Sequence, residues 1–265
     1  MMIDIHSHVL NGVDDGAATQ EISLALLAMA EETGTKDIIA TPHVIGGTKY
    51  LEWDEIQNRV AALNEAAGQA GLTIRVHTGA EIEMSLEMLD LLESDQEYFC
   101  LAKSRYALIE LPMASIPNYA ENFWYKMQIK ELRPILAHPE RYAQLRKRPN
   151  LLLQWMKKGV RTQMNAGSLT GKFGQEIQEF AEFLVTNKMV HFLGSDAHNI
   201  EHRNTDCRAA VERIIALTSK ENAEKITLHN PQYILDNKFL SVEVPKAIVE
   251  KKKPKKCFLS KFFGK

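Results

Sequence analysis

One unit repeats along the chain: a short apolar run of strand-forming residues, a loop, then an amphipathic helical stretch. The runs span 2–6, 37–41, 73–78, 106–111, 133–137, 161–165 and 190–194. Between them lie stretches with helical spacing at 20–33, 53–70, 85–92, 119–131, 151–158, 175–186 and 203–217. In the first of these, Ile22, Leu26, Met29 and Ala30 share one face. Alternating strands and helices imply parallel strands joined by right-handed crossovers. The expected fold is α/β, a distorted TIM-like (β/α)7 barrel forming a single domain over residues 1–250. An open sheet is the alternative.

In such a barrel every strand's C-terminal end reaches one rim, where loops converge. Metal-favoured side chains fall at those ends: His6, His8, Asp14, His43, Glu81, Glu110, His138, Asp196 and His198. Side chains two apart on a strand point to the same side. His6 and His8 therefore meet one point, and Asp196 and His198 repeat the spacing. Asp14 lies in a glycine-rich loop that returns to the rim. Any one of these residues alone reads as a hydrogen-bonded structural group. Gathered on one rim, so many unpaired polar groups would be costly without a cation. The other histidines, His77, His191, His202 and His229, read as structural or solvent-facing. Glu83 and Asp15 read as supporting groups. Such a donor set, with carboxylates able to bridge, suits two or three divalent ions. Nitrogen and oxygen donors without thiolate fit manganese, iron or zinc.

Charge narrows the partners. Residues 251–265 hold seven lysines and no acid, so a net charge of −2 leaves the other 250 residues at −9. An acidic body disfavours nucleic acid. Lysines beside Phe258, Leu259, Phe262 and Phe263 suit peripheral contact with an anionic membrane surface, and a solvated disordered end fits the same composition. Three cysteines, Cys100, Cys207 and Cys257, read as reduced thiols. With no legible signal peptide, the expected location is the cytoplasm, at the membrane's inner face if the tail docks. Nothing in the pattern sets an oligomeric state.

His6-Ser7-His8, Asp14-Asp15-Gly16, Thr41-Pro42-His43, Gly79-Ala80-Glu81, His138-Pro139-Glu140-Arg141-Tyr142 and Gly194-Ser195-Asp196-Ala197-His198 together resemble the polymerase-and-histidinol-phosphatase (PHP) superfamily. Within it the chain is similar to manganese-dependent bacterial protein-tyrosine phosphatases of capsule and exopolysaccharide loci. The resemblance implies three ions. His6, His8, Glu81 and Asp196 would hold one, Glu81, Glu110 and His138 a second, and Asp14, His43 and His198 a third. It also implies a substrate: phosphotyrosine on a bacterial tyrosine kinase that regulates polysaccharide export. Manganese is the expected ion.

The chemistry expected of such a centre is attack of a metal-activated hydroxide on a phosphoryl group. Arg141 and Arg203, just past the rim donors, are placed to bind phosphate oxygens, since a guanidinium matches phosphate bidentately. The loop 111–119 and Phe123-Trp124-Tyr125 offer an apolar wall, though most of these aromatics read as helix packing. The loop 45–50 has the two-glycine flexibility of a lid. Cys207 and Arg213 have the spacing of thiol phosphatases. The segment between them is helix-forming and lacks the glycine-rich cradle, so Cys207 reads as structural. Two rivals stand: a histidinol-phosphatase-like or other small-molecule phosphoesterase, and an inactive metal-binding scaffold.

Overall fold

The computed structural model describes residues 1–48, 50–94, 98–241 and 243–248, with side chains 91–94 outside the description. The basic tail, 251–265, lies outside the described residues. Nine strands occur among them: β1 Met2–Ser7, β2 Thr35–Ala40, β3 His43–Val44, β4 Arg75–Thr78, β5 Glu81–Glu83, β6 Tyr106–Glu110, β7 Arg133–Leu136, β8 Arg161–Asn165 and β9 Phe192–Gly194. All paired strands are parallel.

The order is β1-β2-β4 in one sheet and β3-β5-β6-β7-β8-β9 in the other. These are seven staves, because β3 continues β2 and β5 continues β4 after a break. Thr41-Pro42 makes the first break, where proline supplies no ladder N–H. Gly79-Ala80 makes the second. A Cβ at Gly79 would stand 2.7 Å from Ile39 Cγ2, so only glycine lets the strands pass this closely. The breaks lie side by side, with Glu81 N–H donating to the Pro42 carbonyl at 3.0 Å. Beyond β9, Ser7 bridges Ala197, Asp196 N–H donates to the His6 carbonyl at 2.8 Å, and His8 N–H to the Ala197 carbonyl at 2.9 Å. The last stave thereby meets the first. The expected seven-stave α/β barrel is the observed fold, and its two extra strands arise from breaks that composition does not reveal.

Helices cover the outside: α1 Gln20–Glu32, α2 Trp53–Gln69, α3 Leu86–Ser94, α4 Ala120–Ile129, α5 Ala143–Lys147, α6 Pro149–Lys157, α7 Ala166–Leu169, α8 Gln175–Thr186 and α9 Arg208–Leu217. The Thr19 hydroxyl caps α1 by accepting from Ile22 N–H, and Leu26, Leu27 and Ala30 form its buried stripe. Two apolar layers result. Ile3, Ile5, Ile39, Leu108, Ile135 and Phe192 fill the barrel. Leu26, Ile56, Phe123, Trp124, Trp155 and Leu184 belong to a second layer, beneath the helices.

The opposite end is plugged by the C-terminal segment. Helix α10, Lys220–Glu224, runs through a widened turn at Lys225–His229 into α11, Asn230–Leu235, which seats Ile234 in the barrel core. Buried Tyr106 clasps the chain just past α11: its hydroxyl donates to the Lys238 carbonyl and accepts from Leu240 N–H, both at 2.9 Å. Tyr106→Phe leaves that buried N–H without a partner. The expected loss is about 1–3 kcal/mol, read as a lower urea midpoint. An unchanged midpoint would mean that this clasp does not hold the segment.

Candidate metal centre

Strand ends alone do not aim the rim residues; local distortions do. The pairing of β1 with β2 shifts register between Asp4 and Ser7. There the buried Asp4 carboxylate takes the His6 N–H at 3.2 Å and the Ser195 N–H at 3.0 Å, standing in for ladder carbonyls. His138 lies just past β7 with φ +30° and Asp196 just past β9 with φ +53°. Non-glycine residues in this left-handed region are held there by their surroundings, at about 1–3 kcal/mol each. Gly194 is also required, since a Cβ there would stand 2.6 Å from His6 Cβ.

Three donor groups form around the mouth: His6, His8, Glu81 and Asp196; His43, Glu81 and Glu110; and His8, Asp15, His43 and His198. In the first, His6 Nε2 lies 3.3 Å from His8 Nε2, 3.1 Å from Glu81 Oε2 and 3.5 Å from Asp196 Oδ1. His8 Nε2 lies 3.3 and 3.4 Å from the same two oxygens. Donors bound at about 2.1 Å to one tetrahedral ion stand about 3.4 Å apart. His6 Nδ1 faces Gln163 Oε1 at 3.0 Å and His8 Nδ1 faces Asp14 Oδ2 at 2.8 Å, so each Nδ1 is the protonated donor. In neutral imidazoles both Nε2 lone pairs then face each other and two carboxylates. The gap requires a proton or a metal cation.

The second and third groups make the same demand. His43 Nδ1 and His198 Nε2 are buried and make no hydrogen bond. Yet Glu110 Oε1 is 3.2 Å from the former, and Asp15 Oδ1 3.2 Å from the latter. His138 Nε2 reaches Glu81 Oε1 at 2.7 Å and stands 4.0 Å from Glu110 Oε2, so it borders the second group, whose third donor is His43 and not the His138 expected there. The donor chemistry fits hard or borderline divalent ions.

Asp14 and Asp15 exchange the places expected of them. Asp14 is already engaged: Oδ2 meets His8 Nδ1 and accepts the His43 N–H at 3.2 Å, and Oδ1 accepts the Gly16 N–H at 2.9 Å. It orients the His8 imidazole from behind and holds the His43 backbone, a carboxylate–histidine arrangement typical of metal sites. Asp15 presents its oxygen to the mouth. A Cβ at Gly16 would lie 2.3 Å from the His8 carbonyl, so the loop returns only with glycine there.

Sequence reasoning missed the groups contributed by β8, the one stave without an expected donor. Gln163 Oε1 takes the His6 Nδ1 proton and the His138 N–H, at 3.0 and 3.3 Å. Gln163 Nε2 donates to Asn165 Oδ1 at 3.0 Å, and Asn165 Nδ2 to Asp196 Oδ2 at 2.6 Å. Behind them the fully buried Glu140 accepts from Asn165 N–H and the Ser168 hydroxyl. Their inward alternation on β8 was the available signal. Elsewhere His77 pairs with Asp37 at 2.8 Å. His191 is buried and pushed down to about 3, by burial first and then by Arg161 and Lys225. His202 and His229 are exposed. Burial, with Asp4 and Asp206 nearby, raises the Cys207 thiol, while Arg213 pairs with Glu182, so the thiol-phosphatase spacing is coincidental.

Arg141 and Arg203 both face the mouth, with Asp196 Oδ2 at 3.6 and 2.6 Å. Phe123 and Trp124 are buried in the outer layer, while Met113 stays 56% exposed on the rim loop. Of the loop 45–50, Lys49 is outside the described residues. Gly46 sits so close to α3 that a Cβ would reach Glu87 Oε2 at 2.7 Å.

A ring of parallel strands, with imidazoles and carboxylates closing on shared points at its C-terminal mouth, defines a metal-dependent hydrolase of the barrel type. The sequence matches the family described as capsular polysaccharide synthesis, CpsB/CapC, over residues 2–236, and the chain belongs to it. It is 33% identical to tyrosine-protein phosphatase YwqE of Bacillus subtilis over 95% of this chain and 98% of that protein. A crystal structure from work on YwqE and Streptococcus pneumoniae CpsB, described as unique metal-dependent tyrosine phosphatases, superposes with TM-score 0.88 and 32% identity. That match covers 94% of this chain and all of the other. Histidinol phosphate phosphatase of Lactococcus lactis shares the fold alone, with TM-score 0.54 at 15% identity over 82% of this chain and 94% of that one.

Proton and metal compete for this mouth. Burial alone would lower the His43 imidazole, but the Asp15 and Glu110 carboxylates and the Glu81 charge raise it to about 10. Without metal, the stabilisation from its proton is full below about 6.5 and is lost as pH rises towards 10. Metal binding must displace that proton, so manganese affinity should climb across the same interval. Calorimetric titrations at pH 6 and pH 8 with equal affinity would contradict this. The β8 relay is tested by Gln163→Ala, which removes the His6 acceptor. It should weaken metal binding about 10–100-fold, with occupancy restored by excess metal. Unaltered affinity would show that the relay does not set the site.

Proposed function

We propose that this chain is a metal-dependent phosphatase that hydrolyses phosphotyrosine on proteins. Its family and the tyrosine-phosphatase relatives support that activity. One observation carries the reading: Asp196 joins the donor groups to the phosphate groups. Its Oδ1 faces His6 and His8, and its Oδ2 meets both Arg141 and Arg203. A phosphoryl group at the mouth therefore meets the donor-held charge and two guanidiniums together.

His6, His8, Glu81 and Asp196 would hold one ion, and His43, Glu81 and Glu110, with His138 beside them, a second. His8, Asp15, His43 and His198 would hold a third, with Asp14 steadying His8 from behind. Manganese is the favoured ion. Divalent ions there supply Lewis-acid polarisation of phosphate oxygens and activation of water near neutral pH. The protein's own share is to position. Arg141 and Arg203, each about one-quarter exposed, bind the non-bridging oxygens and orient the ester. A phenol, with pKa about 10, leaves more readily than an alkyl alcohol, which favours tyrosine over serine esters.

Residues 1–250 act as the phosphatase unit in the cytoplasm, and 251–265 as a basic membrane-contacting tail. The substrate is an autophosphorylated tyrosine kinase that controls polysaccharide export, a target class consistent with the capsule-synthesis family. No helix among the described residues is long and apolar enough to cross a membrane.

The test is manganese-supplemented hydrolysis of a phosphotyrosine peptide beside a phosphoserine peptide and histidinol phosphate. The phosphotyrosine peptide should be strongly preferred. Similar turnover of all three would reject the substrate assignment. Arg141→Ala should lower kcat/KM about 100-fold with manganese content unchanged, in line with loss of one preorganised charge-stabilising donor. Full activity in that variant would remove Arg141 from the site's chemistry.

A further inference from the structure

Arg141 and Arg203 reach the mouth from separate elements. Arg141 ends the turn Pro139–Arg141 after β7, and Arg203 lies between β9 and α9. Both converge on one carboxylate oxygen, Asp196 Oδ2, so their positive charges stand close together and repel. To receive one phosphoryl group the two forks need a support that tolerates both charges. A single ring provides it. Arg141 Cζ lies 5.1 Å from the centre of the Phe173 ring and Arg203 Cζ 5.9 Å from it. Both distances fall within cation–π range. Among the described residues no other aromatic ring lies against either guanidinium.

The ring is held there by its surroundings. Phe173 sits in the turn between α7 and α8, bracketed by left-handed Gly171 (φ +78°) and Gly174 (φ +95°). Its edge rests on Gly167, where a Cβ would stand 3.0 Å from Phe173 Cε2. Glycine at 167 lets the ring settle against the backbone of α7 at the height of the two guanidiniums. No role for Phe173 emerges from strand ends or metal spacing, and no sequence motif marks it.

We propose that Phe173 is a positioning residue for phosphate recognition: its ring holds the Arg141 and Arg203 guanidiniums at the separation a phosphoryl group bridges. This rests on the reading of those arginines as phosphate contacts. A π face is required, not mere apolar bulk. Phe173→Leu keeps an apolar side chain and loses the ring; Phe173→Tyr keeps the ring.

The measurements are KM and kcat on a phosphotyrosine peptide, competitive inhibition by inorganic phosphate, and manganese content. Phe173→Leu should raise KM and the phosphate inhibition constant about tenfold, lower kcat less than about threefold, and leave manganese unchanged. Phe173→Tyr should match the parent. Inorganic phosphate carries no aromatic group, so a role in stacking on the tyrosyl ring would leave its inhibition constant untouched and overturn the inference. Parallel losses of kcat and manganese in Phe173→Leu would mark a merely structural residue and would also overturn it. Arg141→Ala separates the two levels. If it weakens phosphate inhibition while Phe173→Leu does not, only this inference fails; if Arg141→Ala has no effect on phosphate, the phosphate-contact reading falls and this inference with it.

Discussion

Four imidazoles surround one buried carboxylate, and the rest of the mouth depends on that convergence. Glu81 is reached by His138 at 2.7 Å, His6 at 3.1 Å, and His8 and His43 at 3.3 Å each. Burial opposes its ionisation, but His6, His138 and His8 outweigh burial and keep it charged. Its position comes from the paired breaks in two adjacent staves. His43 and Glu81 are register partners in β3 and β5, the two short strands that resume after Thr41-Pro42 and Gly79-Ala80. Side chains alternate faces along a strand, so resumption one residue early or late would turn Glu81 away from the mouth. Breaks at the same height in neighbouring strands are thus a condition for the site.

The strand-and-helix alternation was legible because parallel strands buried on both faces read as continuous apolar runs. The rim position of the donors came from the same logic; the structure brings His6, His8, His43, Glu81, Glu110, His138, Asp196 and His198 together there and turns Asp14 behind His8. The features that the pattern left hidden have physical causes. The breaks in β2 and β4 depend on how closely two strands pass, as the Gly79–Ile39 approach shows, and that is a property of the pair. Asp14 and Asp15 are adjacent acids in one loop. Only the turn that buries one side chain beneath His8 tells them apart. Arg203 and Phe173 are neighbours through folding alone.

The relay on β8 shows why a stave without donors still matters. An imidazole has two nitrogens, and the one facing the mouth stays a lone pair only if the other keeps its proton. Gln163 fixes that choice for His6, and Asn165 fixes the carboxylate of Asp196. Neutral amides suit this task. A carboxylate in place of Gln163 would add negative charge to an already acidic mouth, and an apolar residue would leave the His6 Nδ1 proton without its acceptor. Such a relay must itself be buried and satisfied, or the low dielectric that strengthens it would count against it. Glu140 anchors its far end through the Asn165 backbone and Ser168.

The two ends of the barrel therefore place opposite demands on the chain. At the plugged end Tyr106 and α11 close a well-paired apolar interior, and departures from it reduce stability. At the mouth, left-handed His138 and Asp196, facing lone pairs and clustered carboxylates all oppose folding. A cation that binds only the assembled mouth relieves the electrostatic part of that opposition, and by linkage its binding energy adds to the stability of the folded state. The mouth is thus the region where stability is given up for binding, while the helical layer and the opposite plug hold the strand ends in place. Since the donors come from staves spread around the whole ring, the ions would also tie β1, β3, β5, β6 and β9 together at the end where the plug does not reach.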